Sequence, residues 1–80
     1  EMEELRDRII NLIAIKHKSV IEIGMDDDFI EGCGIDSLSF IKLVSDLEKE
    51  FKIIIIDEKF SVDRICTINK LSEYINERLS

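Results

Sequence analysis

The chain has no C-x-x-C pair, a single histidine and no proline among its 80 residues. Cys33 and Cys66 stand 33 positions apart with only His17 besides, so neither zinc-ligand spacing nor a disulfide framework is suggested. Both are expected to be reduced thiols, and no metal site is expected. Long apolar runs are missing too: none approaches the roughly 18 residues that cross a bilayer. The opening Glu1-Met2-Glu3-Glu4 is acidic where a signal peptide is basic. A soluble cytoplasmic protein without a membrane partner is the expectation. A basic excess is also lacking, since 11 Lys and Arg face 18 Asp and Glu for a net charge of -7. Nucleic-acid binding needs a basic patch, so no nucleic-acid partner is expected. Repeats, low-complexity tracts and linkers are absent. What remains is one domain over residues 1–80 with one core, for which burial of roughly 60 to 65% of the unfolded surface is expected.

The excess acid is unevenly placed. Residues 1–18 carry four acids and four bases, 37–56 three of each, and 57–80 five acids against four bases. Residues 19–36 hold Glu22, Asp26, Asp27, Asp28, Glu31 and Asp36 with no base, so six of the seven excess charges precede Ser37. A partner approaching Ser37 meets a negative field.

Met2, Leu5, Ile9 and Leu12, joined by Ile10 and Ile13, recur at helical spacing and predict an amphipathic helix over 2–16. Glu3 and Glu4 in its first turn and Lys16, His17 and Lys18 at its end have the signs that the helix dipole favours. The period then fails from 19 to 36, where Gly24, the aspartate run, Gly32 and Gly34 read as a long loop. Val20, Ile21, Ile23, Phe29 and Ile30 are its candidate anchors to the core. Asp36 is a good N-cap for a second helix ending near 51 or 52, with Phe40, Leu43, Val44, Leu47 and Phe51 inward. Leu38, Ile41 and Ser45 form a neighbouring, partly exposed strip.

Ile53 to Ile56 have strand propensity but no second strand to pair with, which predicts an extended buried linker. Asp57-Glu58 is expected to start a short helix burying Phe60 and Ile65. Thr67 then caps a last helix with Ile68, Leu71, Ile75 and Leu79 on one face. The expected fold is all-α: a small bundle of three main helices plus one short one, with a long loop between the first and second.

Gly34-Ile35-Asp36-Ser37-Leu38 resembles the D-S-L signature of acyl and peptidyl carrier proteins. The approach Phe29-Ile30-Glu31, the run Leu43-Val44 through Leu47-Glu48-Lys49-Glu50-Phe51, Asp57-Glu58, Thr67-Ile68, Leu71 and Tyr74-Ile75 resemble that family in order, from Phe29 to Leu79. The resemblance implies that Ser37 receives a covalent 4′-phosphopantetheine arm from coenzyme A, with Asp36 and Leu38 as the flanking motif. It implies a carrier of acyl or aminoacyl thioesters rather than an enzyme, with no catalytic residues of its own. Its partners would be a phosphopantetheinyl transferase, an acyl- or aminoacyl-activating ligase, and synthase or transferase enzymes, and a monomer is expected. The matching aspartate, Asp36, is placed to assist the transferase reaction. Physical chemistry agrees: a serine opening a helix keeps its hydroxyl outside the core, where the dipole favours a phosphate.

Asp-Ser before an apolar run is most often only a helix cap. Cys33 stands where the family usually has leucine, and a small apolar role suits it better than reactivity. Cys66, Tyr74 and the phenylalanines read as packing. Asp26-Asp27-Asp28 with Glu31 lacks calcium-loop spacing and reads as a solvated charge run. His17 has no paired carboxylate nearby in sequence, so no Ser-His-Asp arrangement is suggested. Two rival classes remain, an unmodified carrier-like interaction domain and a small enzyme using Cys33 or Ser37. Retention of the D-S-L residues opposes the first, and the missing general base opposes the second.

Departures from the resemblance bear on partners. Ser39, Lys42 and Lys49 stand where acids are common on the second helix, leaving chiefly Glu48. Ile54 and Ile56 replace an acid and a proline, and the third-helix region is about two residues longer. Leu38, Ile41, Lys42, Glu48 and Lys49 are therefore the expected partner-binding set. The lean is towards polyketide, nonribosomal peptide or related specialised work over housekeeping fatty acid synthesis.

Overall fold

A computed structural model describes residues 2–16 and 24–79. It contains α1 (Met2–Lys16), α2 (Ser37–Phe51), a short 3-10 helix (Val62–Arg64) and α3 (Ile68–Leu79), with no strand among the described residues. No described helix is long and apolar enough to cross a membrane. The expected Val20, Ile21 and Ile23 anchors, and His17, lie outside the described residues.

Helix α1 has the expected ends, but its buried line runs through Leu5, Ile9 and Ile13, with Met2, Ile10 and Leu12 half-buried at its flanks. It packs chiefly on α3 and less extensively on α2. The α3 face is Ile68, Leu71 and Ile75, all fully buried, while Leu79, at the same helical spacing, is 48% exposed because the helix end outruns the core. Ser72 takes a buried place beside that line. Thr67 caps α3 as expected, its Oγ1 accepting from the Lys70 amide at 3.1 Å.

Helix α2 buries the whole predicted stripe of Phe40, Leu43, Val44, Leu47 and Phe51. It ends at Lys52, which lies in the left-handed region with φ 56°. Glycine usually fills such a position, since a Cβ makes it costlier. Arg8 ties α1 to this end, pairing with Glu50 at 3.2 Å and lying 4.5 Å over the Phe51 ring.

Two expectations after α2 need correction. The linker is not buried throughout: Ile55 is fully buried and Ile53 half-buried, but Ile54 is 66% exposed and Ile56 38%. Alternate side chains point out because one face of the segment has core to meet and the other only solvent. Its amides turn to Glu48 instead of a strand, with Oε2 accepting from Ile55 at 2.7 Å and from Ile56 at 2.9 Å. The short helix does not begin at Asp57-Glu58. Asp57 closes a turn there, its Oδ1 accepting from the Lys59 amide and its carbonyl from Phe60, so the helical residues come later. Ile65 is fully buried and Phe60 half-buried.

Candidate functional site

The loop before α2 is built to deliver residues 36–38 to the surface. Phe29 is fully buried and meets Phe40 of α2 with ring centroids 5.4 Å apart. Its amide donates to the Cys66 carbonyl at 2.8 Å, and its carbonyl accepts from Ile35 at 3.1 Å. Ile35 is buried, whereas Asp36, Ser37 and Leu38 are exposed. The chain is thus clamped at 29 and 35 and again by Phe40, with the motif standing out between them. Gly34 makes the approach with φ 74°, a conformation that favours glycine.

The aspartate run is not merely solvated, as its sequence suggested. Asp28 Oδ1 accepts from the amides of Ile30 and Glu31, Asp27 Oδ2 from Gly24, and Asp26 Oδ1 from the Asn69 side chain. Asn69 also donates its own amide to the Met25 carbonyl at 3.0 Å. Each carboxylate holds the loop's turns or ties it to α3, work that small acidic side chains do well where amides are otherwise unpaired. The Glu31 amide, chief among these partners, holds the Asp28 carboxyl below the usual carboxylate range, against desolvation. No metal-ligating cluster occurs among the described residues.

Asp36 is extended (φ -75°, ψ 163°) and caps α2, its Oδ1 accepting from the Ser39 amide at 2.7 Å. That bond chiefly, with help from the Ser39 hydroxyl, the Leu38 amide and the Lys42 charge, keeps its carboxyl below the usual range despite some desolvation. Ser37 opens the helix beside it, and its hydroxyl has no hydrogen-bond partner among the described residues. Leu38 is 67% exposed. A bulky group on the Ser37 oxygen therefore displaces no packing.

Lys42 and Lys49 are exposed and Ile41 is half-buried. Glu48, expected on the partner surface, is half-buried, with one carboxylate oxygen committed to the linker amides. Sequence reasoning missed that task, and the signal for it was four strand-forming residues with no strand to join. Cys33 is half-buried and Cys66 buried, both free thiols. Desolvation, backed by Asp27 and Asp28 at Cys33 and by Asp28 at Cys66, pushes both thiols up, which leaves them poor nucleophiles.

A family profile described as phosphopantetheine attachment site matches residues 3–75. The chain belongs to that family. The acyl carrier protein of Rickettsia bellii strain RML369-C is 31% identical over 81 residues, spanning 100% of this chain and 92% of that protein. That of Karelsulcia muelleri strain GWSS is 32% identical over 78 residues, spanning 98% and 88%. Acyl carrier proteins are carriers, not enzymes, and their prosthetic group is covalent 4′-phosphopantetheine. The donor chemistry here fits such a group: a surface hydroxyl at a helix start, without a hydrogen-bond partner among the described residues.

Proposed function

We propose that Ser37 is the attachment point and that the chain serves as a single-domain, monomeric, cytoplasmic carrier in specialised acyl or aminoacyl transfer. The observation that carries the attachment is the exposure of Ser37 as the first residue of α2, between the helix-capping Asp36 and an exposed Leu38. The arm supplies a terminal thiol on which cargo is held as a thioester. The protein's own residues hold that arm at the surface. Asp36 occupies the Ser39 amide, so the helix dipole, rather than that amide, favours the phosphate. Both free thiols suit a reducing compartment.

The partners on this reading are a phosphopantetheinyl transferase, an acyl- or aminoacyl-activating ligase and the downstream synthase or transferase. They meet Leu38, Ile41 and Lys42 near the serine and Lys49 further along α2, with Glu48 shaping the edge of that surface. The exposed lysines on α2 support a specialised pathway, because a basic patch on an enzyme would be repelled there. Similarity over nearly the whole chain to proteins named simply acyl carrier protein favours a second reading, the general carrier of fatty acid synthesis. Incubation with coenzyme A and a permissive transferase, followed by intact mass measurement, tests the attachment. One phosphopantetheinyl group should be gained, and none by Ser37→Ala. An equal gain by the alanine variant places the arm elsewhere.

A further inference from the structure

Ile54 and Ile56 stay exposed although their segment is fixed from below. Ile55 is buried, and Glu48 holds the amides of Ile55 and Ile56, so the outward pair is presented by ordered backbone. The surrounding charges differ from the rest of the chain. Glu50 is paired with Arg8, and Asp57 with Arg78. Lys49, Lys52 and Lys59 are exposed and form no ion pair among the described residues, which leaves Glu58 as the unpaired carboxylate of the segment 49–59. Residues 49–59 carry three bases and three acids, but with Glu50 and Asp57 ion-paired the charges left there are three lysines against Glu58 and the Glu48 carboxylate that holds the linker amides. Lys52 even keeps its amine at a left-handed position, φ 56°, that glycine would occupy with less strain.

We propose that Ile54 and Ile56, rimmed by Lys49, Lys52 and Lys59, form a docking surface for a protein partner that offers an apolar depression bordered by carboxylates. Covering the two isoleucines supplies the apolar term, and the lysine rim selects and orients the partner. The surface lies at the end of α2 remote from Ser37, about 20 Å along the helix axis. A partner held there leaves the serine accessible. An anionic membrane is the weaker occupant, since three lysines fall short of the roughly four to eight that anchor a protein to such a surface. A second copy joined by a two-fold axis would set lysines against lysines.

The test titrates the isotope-labelled full chain with a synthetic amphipathic helix bearing a leucine stripe flanked by glutamates. The same peptide with lysines for glutamates, and phosphatidylglycerol vesicles, are run beside it. Amide shifts should be confined to residues 49–59 and their packing neighbours, with the acidic peptide only. Ile54→Gln should weaken binding by about tenfold or more. Lys52→Glu with Lys59→Glu should reverse the preference towards the basic peptide, with unchanged circular dichroism showing the fold intact. No binding of the acidic peptide, equal binding of both peptides, shifts elsewhere, or association with vesicles alone would overturn the proposal. Phosphopantetheine transfer to Ile54→Gln, read by mass, should be unaltered. Its failure in the parent chain as well would count against the carrier reading and leave the docking result standing.

Discussion

The Glu48 carboxylate receives the amide of Ile55 at 2.7 Å, and through the same oxygen that of Ile56 at 2.9 Å. One side chain thus stands in for the neighbouring strand that four consecutive isoleucines would otherwise require. The direction of the linker, and with it the burial of Ile55, depends on this contact.

Removing it should be costly. Glu48→Ala leaves the part-buried Ile55 amide without its acceptor, a loss of about 1 to 3 kcal/mol. Glu48→Gln keeps an oxygen acceptor and should lose less. Urea denaturation measures both, and hydrogen exchange should quicken first at Ile55 and Ile56. An alanine variant with an unaltered midpoint would show that the linker holds itself.

Leu47 is fully buried in the middle of the α2 stripe. Leu47→Ala should cost roughly 2 to 5 kcal/mol through lost burial and the cavity left behind. Leu38→Ala, on an exposed position, should stay within about 0.5 kcal/mol of the parent. Similar midpoints for the two variants would mean that the buried face is misplaced.

Acid should destabilise the protein through two carboxyls. Asp28 is held below the usual range first by the Glu31 amide, and Asp36 first by the Ser39 amide. A carboxyl with a lowered folded pKa binds fewer protons in the folded state. Its stabilisation is therefore present above the unfolded value, about 3.9 for aspartate, and is lost as pH falls through the lower folded value. The thermal midpoint should decline below about pH 4 on account of these groups, and Asp28→Asn and Asp36→Asn should each flatten that decline. Parallel acid profiles in the parent and both variants would exclude these carboxyls as its source.

Lys42 lies close enough to Asp36 to help hold that carboxyl down, which puts its charge beside the motif. Lys49 is two turns further along the exposed side of α2. Acyl transfer from the loaded protein by fatty acid synthesis enzymes should be poor and should improve in Lys42→Glu with Lys49→Glu, with circular dichroism unchanged. Efficient transfer by the parent, or no response to the substitutions, removes the case that α2 selects a specialised pathway.

Local patterns settled much of this protein in advance. The spacing of Phe40, Leu43, Val44, Leu47 and Phe51 determined both α2 and its inward face, because a helix brings those positions to one side whatever they pack against. Asp36 and Thr67 determined where helices begin, because a cap needs only its own side chain and amides within three residues. Ser37 was legible as a surface serine for the same reason. Tertiary structure decided what depends on residues distant in the chain. Ile53 to Ile56 carry one propensity, yet only Ile55 is fully buried, since core exists on one side of the segment and Glu48 fixes its course. Asp26 looked like a solvated charge until Asn69, 43 positions away, supplied its donor. Leu79 fits the period of α3 but reaches past the core that Ile68, Leu71 and Ile75 fill. Periodicity states which side of an element is apolar, and only the packed neighbours determine how far that side is covered.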